Sequence, residues 1–510
     1  MAKLLVVGGA GYVGGTASAW LTDQGHDVWI LDDLSTGHRE FTRLARGFTH
    51  ARAGDRTVVR ELLARERFDG VMHFAAKSLV EESVRNPAAY LENNVAQTEA
   101  LIEEMLKAGV RRLVFSSTCA VYGEVGSGKI KENHPKMPIN PYGESKLQAE
   151  QLIERMARER GLQAIVFRYF NAAGAEARLR VGERHENETH LIPRVLGALQ
   201  RGEKVQVFGG DYPTKDGTCV RDYIHVWDLA AAHSLAMSQL LSFHDTRGSF
   251  KDYNLGTGVG HTVLEVVTAC ARALGKEAQI SMEPRRAGDP SELVADTTRM
   301  ERDFGFRTRQ SLEDIAVSAL NWEKKGAGLL KRAVFLDRDG TLNDDPGYLS
   351  DPKLMNLFPH VGEALQLLQS EGFELVVVSN QSGVARGLIE EKTLPLIHER
   401  LDELLGEAGS HIDHYELCLH HPNMNCYCRK PKPKLLFLAA QKRGLDISRS
   451  FMIGDKTSDI EAGRAAGCRG VALVRTGYGV ESEAQLKSGD VDFVGDSLID
   501  VAHWILKQSL

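Results

Sequence analysis

Several groups of residues in this chain of 510 residues have types and spacings suited to proton transfer, group transfer or metal binding. Tyr142 and Lys146 lie four apart in PYGESK. On a helix they share a face, so the ammonium would sit beside the phenol. A free tyrosine titrates near about 10 and an adjacent cation favours its ionised form, which would let Tyr142 exchange a proton with a hydroxyl. Thr118, in FSSTCAVYG, adds a hydroxyl after an apolar run. Asp337 and Asp339, in DRDGT, follow the apolar run Ala333–Leu336. At a strand end, two such carboxylates can divide labour: one attacks phosphorus and holds metal, the other protonates the leaving oxygen. Ser379 in SNQSG, Lys430 in CRKPKP, and Asp455 with Asp459 in IGDKTSD follow in order. A hydroxyl, a cation and a second acidic pair would complete a phosphoryl-transfer site with Mg2+.

Two further patterns speak of bound groups. Gly8, Gly11 and Gly14 recur at three-residue spacing between a strand-like run and a helical one, where backbone N–H groups favour an anion and the missing side chains let a pyrophosphate approach. Asp32 stands 18 positions beyond Gly14, placed for an adenosine ribose, and its charge would repel a 2′-phosphate, so NAD is expected over NADP. Cys418, His420, Cys426 and Cys428 form C-x-H-x5-C-x-C, a donor set for tetrahedral structural Zn2+, with His421 the alternative imidazole. This metal would fix the loop that presents Arg429 and Lys430.

Those residues need strands and helices to hold them. Strand-like runs at Leu4–Val7, Val28–Leu31, Val71–Phe74, Leu113–Phe115 and Ala164–Phe167 alternate with segments of helical period, the pattern of parallel α/β folds. The region from Asn171 to Arg299 is less regular. After the helical segment Leu312–Trp322, a short basic stretch leads to Ala333–Leu336, where the alternation restarts. The expected organisation is a domain at 1–324, a connector at 325–331 and a domain at 332–510. Both are expected to be Rossmann-like, the first with a small substrate-binding subdomain.

Composition narrows the class. At 43% hydrophobic, 26% charged and 7% aromatic residues the chain reads as an ordinary globular protein. A net charge of −7 without a basic block argues against nucleic acid or an anionic membrane as partner. No run of about 18 apolar residues suggests a membrane span. The N-terminus reads as a buried strand, glycine turn and helix rather than a leader. Seven cysteines, an odd number with three crowded together, fit a metal site in reducing cytoplasm better than a disulfide framework.

The first 322 residues or so resemble the extended short-chain dehydrogenase/reductase family, its UDP-glucose 4-epimerase branch in particular. The resemblance rests on GGAGYVG, DDLSTGHRE, HFAAKSLVEESV, FSSTCAVYG, PYGESKLQAE, RYFNAAGA, ETHLIP, DYPTKDGTCVRDYIHVWDLA, YNLGTGVGHTVLEVV and PRRAGDPSELVAD. It implies that Tyr142 takes the proton of the sugar 4-hydroxyl, that Thr118 steadies it, and that Lys146 holds the ribose and tunes Tyr142. NAD would be contacted by Gly8, Gly11, Tyr12, Val13, Gly14, Asp32, Asp55, Phe74, Ala75, Ala76 and on to Ser78, Asn93 and Phe170. Asn171, Leu191, Phe208, Arg221, Arg286 and Asp289 would grip the UDP-sugar. Thr118 replaces a common serine with its hydroxyl kept, and Leu293 replaces a bulky tyrosine of some members, leaving room for N-acetylated sugars. The resemblance also implies a homodimer through helices of this part.

Residues 332–510 resemble the haloacid dehalogenase superfamily, in the form shared by D-glycero-D-manno-heptose 1,7-bisphosphate 7-phosphatases and histidinol-phosphate phosphatases. DRDGTLN, SNQSGVARG, the Cys/His set before CRKP, and GDKTSDIEAG carry it. It implies Asp337 as nucleophile and Asp339 as general acid/base. Ser379, Asn380, Arg429 and Lys430 would bind phosphate. Asp337, Asp455 and the Asp339 carbonyl would hold Mg2+, supported by Lys456 and Asp459. The joint expectation is a bifunctional enzyme acting on two small molecules, a UDP-sugar and a sugar phosphate. Alternatives are a first unit that decarboxylates, dehydrates or epimerises an ADP-heptose, or one unit that serves only as a ligand-binding module.

Overall fold

Runs such as KLLVV, DVWILD and QAIVFRY are apolar on both faces, so their strands must be covered on both sides and cannot line one wall of a solvated sheet. A computed structural model of the chain, describing residues 1–126, 128–185, 188–243, 247–286, 290–345 and 347–509, bears out this α/β reading. It divides into two units, Met1–Trp322 and Glu323–Leu510.

In the first unit seven parallel strands lie in the order Ser249–Leu255, Gln163–Tyr169, Arg112–Thr118, Gly70–His73, Lys3–Val7, Asp27–Asp32, Gly47–His50. One core, containing Leu5, Val71, Leu101, Phe115 and Ile153, covers one face, and a second, containing Val6, Met72, Phe167, Ile224 and Tyr253, covers the other. The order reverses beside Lys3–Val7, whose neighbours are the second strand on one side and the fourth on the other. This leaves a crevice at the strands' carboxyl ends, the usual ligand position in open α/β sheets. Two small sheets stand apart from the main one. Val220–His225 pairs with Gly260–Thr262, Glu292–Leu293 and Asn171–Ala173, and Val205–Phe208 pairs with Ile280–Glu283.

The helix Leu312–Gly326 continues over Lys324 and Lys325, whose charges suit a helix C-terminal turn. Helical structure therefore enters the stretch read above as a connector, and Arg332 already opens the next strand. The second unit has six parallel strands in the order His414–Cys418, Phe373–Asn380, Arg332–Leu336, Phe451–Gly454, Gly470–Val474, Phe493–Gly495. Its sheet too is covered on both faces, by cores around Leu336, Leu365 and Val377 and around Phe335, Leu436 and Met452. Among the described residues no helix is long and apolar enough to cross a membrane.

Candidate active sites

The strand Lys3–Val7 ends in the glycine loop, and the helix Tyr12–Asp23 begins at Gly11 with no side-chain cap. Gly8 holds a φ of +81°, and a Cβ there would lie 2.4 Å from the Ala75 nitrogen; one on Gly14 would lie 2.1 Å from the Gly8 carbonyl oxygen. No side chain larger than hydrogen fits, so a bare helix N-terminus faces the crevice and suits a pyrophosphate. Asp32 ends its strand and accepts from the Ala10 N–H at 2.9 Å and the Leu34 N–H at 2.8 Å, which fixes its carboxylate beside the loop. Tyr12 donates to the Gly174 carbonyl at 2.6 Å, and Val13 packs against the core. The Phe74 and Ala75 N–H groups donate to the Val7 carbonyl at 2.8 and 3.1 Å, and Ala76 follows half-buried. Asn93 donates to Asn94 at 3.0 Å, and Phe170 is buried. Asp55 caps the helix Arg56–Glu66 through the Val58 N–H at 3.1 Å, a structural task within its own segment.

Tyr142 and Lys146 sit in the first two turns of the helix Pro141–Arg160, which starts behind the Asn140 cap with proline at its first position. Lys146 is buried and Tyr142 half-buried, and here the structure corrects the sequence argument. The Lys146 amine does not lower the Tyr142 pKa. It donates to the Ser116 carbonyl at 2.8 Å and lies 4.8 Å over the Phe115 ring. Burial pushes the phenol up to about 12, partly offset by a hydrogen bond with the Thr118 hydroxyl, and pushes the Lys146 amine down to about 7 against the pull of Glu150. Sequence spacing put the two on one face; it did not show that a backbone carbonyl competes for the cation.

Sequence reasoning also missed the group that anchors this helix. Glu150, one turn beyond Lys146, accepts from Ser117, the neighbour of Thr118, and from Arg168 at 3.0 and 2.7 Å. Arg168, fully buried, also donates to Tyr122 at 2.8 Å and Asp252 at 2.6 Å. The signal was there: a lone arginine in AIVFRY and an acid four residues after Lys146.

In the same unit, Asn171, Leu191, Phe208, Arg221 and Arg286 line a single cavity of about 770 Å³. Arg286 stacks 4.2 Å over the Phe208 ring, and Arg221 donates to the Val220 and Pro290 carbonyls at 2.8 and 2.9 Å. Two guanidiniums held over one cavity suit a diphosphate. Leu293 packs against the cluster that includes Cys119, Val121 and Phe170. Asp289 lies outside the described residues.

In the second unit Asp337 follows the strand Arg332–Leu336 and accepts from the Arg338 N–H at 2.8 Å. The buried Lys430 amine bridges Asp337 at 3.0 Å and Asp459 at 2.6 Å and donates to the Val378 carbonyl at 2.7 Å. Its own burial disfavours the charge, yet the two carboxylates outweigh this and raise its pKa. Asp337, Asp455 and Asp459 bring carboxylate oxygens within 4.8 Å of one another. Asp455 is pushed up to about 7 by burial and by Asp337, and its buried Oδ1 has no hydrogen-bond partner. An orphaned carboxylate oxygen among crowded acids is the environment a hard divalent cation satisfies, so these residues fit Mg2+. Lys456 approaches Asp455 at 3.9 Å and Asp345 at 3.3 Å.

The Asp339 side chain points elsewhere. It accepts from Arg338 at 3.0 and 2.8 Å, from Gln381 at 2.8 Å and from Asn343 at 3.0 Å. Burial alone would raise its pKa, but Arg338 leads the groups that bring it below the ordinary carboxylate range. In this state it is an ionised group held in place, and a general-acid role requires that the arginine contact loosen. Gln381, unrecognised in the sequence, also donates to Ser379 Oγ at 3.0 Å. Asn380 brackets the Lys430 backbone, accepting its N–H at 3.0 Å and donating to its carbonyl at 3.2 Å, so it positions the lysine. Arg429 keeps a buried Nη1 without a partner.

The Cys/His set converges on one point. Sγ of Cys428 lies 3.3 Å from Cys418 and 3.6 Å from Cys426, Cys418 and Cys426 are 3.6 Å apart, and His420 Nδ1 lies 3.2 and 3.6 Å from Cys428 and Cys418. Ligands at zinc–sulfur and zinc–nitrogen lengths of about 2.3 and 2.0 Å define a tetrahedron with edges of roughly 3.5–3.8 Å. The separations fit that ion and are far beyond a disulfide. His421 turns its Nδ1 to the Asn423 N–H at 3.2 Å and is not in the set.

A pH-linked expectation follows from Asp455. A carboxyl whose folded pKa is raised, from 3.8 to about 7, destabilises the fold increasingly as pH rises through that interval. Mg2+ would remove the penalty only where Asp455 is ionised. Added Mg2+ should therefore raise the melting temperature clearly at about pH 8 and little at about pH 5 in thermal scans; equal shifts at both would contradict the assignment.

The sheet order, the glycine crevice and the Tyr142–Thr118 pair define a dinucleotide-binding α/β protein, and comparison with known proteins places it further. The model of the NAD-dependent epimerase/dehydratase family matches residues 4–256, and a HAD-hydrolase-like model matches residues 427–501. The UDP-glucose 4-epimerase of Halalkalibacterium halodurans is 43% identical over 324 residues, 63% of this chain and 96% of that protein. The crystal structure of UDP-glucose-4-epimerase from Stenotrophomonas maltophila with bound NAD and formylated UDP-arabinopyranose superposes with a TM-score of 0.61 at 38% identity, covering 64% of this chain and 99% of that one. The UDP-Glc/GlcNAc 4-epimerase of Campylobacter jejuni gives 0.55 at 36% identity, covering 64% and 100%. The chain belongs to the NAD-dependent epimerase/dehydratase family through its first unit, and its second unit is HAD-like.

Proposed function

We propose that this chain is a bifunctional enzyme: its first unit interconverts the C4 epimers of a UDP-hexose, UDP-glucose and UDP-galactose, and its second hydrolyses a sugar phosphate. What carries the first reading is the hydrogen-bonded Tyr142–Thr118 pair, Thr118 at the carboxyl end of a strand of the sheet that carries the glycine crevice, together with the arginine-lined cavity of the same unit. NAD, bound by the crevice with Asp32 at its ribose, supplies a hydride acceptor and donor. Tyr142 withdraws the proton of the sugar 4-hydroxyl and returns it after the 4-keto sugar has turned over, Thr118 orients that hydroxyl, and Arg221 and Arg286 hold the diphosphate throughout. In the second unit Asp337 attacks phosphorus and the bond from phosphorus to the sugar oxygen breaks; Asp339, once released from Arg338, protonates that oxygen. Water then attacks the aspartyl-phosphate, giving its proton to Asp339 and freeing phosphate and Asp337, while Ser379, Arg429 and Lys430 neutralise the phosphoryl oxygens. Mg2+ held by Asp337 and Asp455 supplies charge neutralisation there. The resemblance favours D-glycero-D-manno-heptose 1,7-bisphosphate as substrate.

The test is to incubate the chain with UDP-galactose and, separately, to screen phosphate release from heptose bisphosphates, histidinol phosphate and hexose phosphates. Absence of UDP-glucose from the first incubation refutes the epimerase reading; a preference for histidinol phosphate in the second refutes the heptose substrate.

A wider sugar range is favoured by Leu293, which sits against Phe170 and Cys119 where a tyrosine would fill space. Leu293→Tyr is expected to lower kcat/KM for UDP-GlcNAc at least about tenfold relative to UDP-glucose, the scale of steric discrimination in a pocket. An unchanged ratio between the two substrates rules this out.

Cys418, His420, Cys426 and Cys428 hold a structural zinc ion in this reading. Because Cys428 adjoins Arg429 and Lys430, Cys428→Ser should release the metal and raise KM for the phosphate ester, with epimerisation unchanged. Zinc content and the two activities, measured on one preparation, check it.

A further inference from the structure

The segment Glu183–His190 takes no part in the chemistry above, yet it gathers two carboxylates and two imidazoles whose ligand atoms all lie within 4.8 Å of one another. His190 Nδ1 is 2.5 Å from a Glu183 oxygen and 3.3 Å from one of Glu188, and His185 Nδ1 is 3.1 Å from Glu188 and 3.7 Å from Glu183. Two independent ion pairs would give each nitrogen one carboxylate. Here each nitrogen faces both, and each carboxylate faces both rings. Four nitrogen and oxygen ligands around an ion at about 2.0–2.1 Å define edges of roughly 3.3–3.4 Å, within the span of the four separations. The Glu183 carboxylate is only 7% exposed, so its charge needs close compensation.

The donors are held by packing outside the cluster. The Trp322 indole N–H donates to the Glu183 carbonyl at 2.8 Å, and its ring covers Gly182 so closely that a Cβ would lie 2.3 Å away. The Arg184 carbonyl meets His38 Nε2 at 3.0 Å, and its guanidinium pairs with Glu40 at 2.6 Å. His190 is the N-cap of the helix Leu191–Arg201, and Glu188 and His190 line the 770 Å³ cavity. Anchors on both sides leave the four side chains directed at one point.

We propose that Glu183, His185, Glu188 and His190 form a divalent-cation site in the first unit, for a borderline first-row ion of the Zn2+ kind, that clamps this loop beside the cavity. Two imidazoles select against Mg2+ and Ca2+, and four protein ligands make the site structural. The inference goes beyond the epimerase reading and does not depend on it, because metal binding is measured without turnover.

The experiment uses the untagged full-length chain. In a Cys418→Ser/Cys428→Ser background, stripped with EDTA and titrated with Zn2+ in excess Mg2+ that keeps the Asp337–Asp455 site filled, one equivalent should still bind. Adding His185→Ala or Glu183→Gln should weaken that binding at least about tenfold. No zinc bound by the cysteine variant, or equal binding after His185→Ala, overturns the proposal. Should the substitutions disturb folding, the stripped chain carrying only Asp337→Asn and Asp455→Asn, which remove the carboxylate site of the second unit, is titrated with Co2+ in the same excess of Mg2+. Two equivalents are expected, one with thiolate-to-metal charge transfer and one with ligand-field bands alone. A single, thiolate-type equivalent overturns the site.

Discussion

Asp337→Asn is expected to lower phosphate release by about 10⁴-fold or more, the scale of removing a covalent nucleophile, while UDP-sugar epimerisation continues at the parental rate. The substitution preserves shape, and the amide oxygen can still accept the Arg338 N–H. It should not unfold the unit either. Asp337 is among the groups that push both Asp455 and Asp459 up, so removing its charge relieves crowding, and Lys430 keeps Asp459 as a partner at 2.6 Å. A melting temperature at or above the parental value, together with lost turnover, would separate chemistry from stability. Retention of more than a tenth of the activity would move the nucleophile elsewhere, with Asp339 the nearest alternative in sequence.

Tyr142→Phe should reduce kcat for epimerisation by about 10²–10⁴-fold, the contribution of a positioned acid/base, with KM for the UDP-sugar changed only a few-fold. The change deletes one hydroxyl, keeps the edge-on contact of the ring with Tyr90 at 6.4 Å, and leaves the cavity-lining arginines untouched. Burial places the phenol near about 12. The fraction ionised therefore rises with pH across the neutral range, and parental kcat should climb from about pH 6 to about pH 9. The variant should lose that slope as well as the rate. Parental rates with Phe at this position would assign the proton to Thr118 or to another group.

Much of both sites was legible locally. Gly8, Gly11 and Gly14, the Tyr142–Lys146 interval, the Asp337–Asp339 pair and the Cys/His set each lie within a few residues to about ten, so that short range along the chain is enough to mark them, though helix period alone places side chains only for Tyr142 and Lys146. The alternation of apolar runs with helical segments was enough for the α/β class, because a parallel strand must be apolar on both faces.

What the linear order could not contain is which charges compete for one another once water is excluded. Lys146 turned to the Ser116 carbonyl, Asp339 was claimed by Arg338 and Gln381, and Lys430 was drawn between Asp337 and Asp459. Ser116, Gln381, Asp337 and Asp459 each lie about 30 residues or more along the chain from the group they pair with, and the fold brings them close; Arg338 is the chain neighbour of Asp339, and only packing turns its side chain back onto that carboxylate. Local sequence determined which chemical groups this protein carries and on what elements. Tertiary packing decided their protonation and pairing, because in a dry interior each charge goes to the nearest available partner and burial shifts whatever remains unpaired.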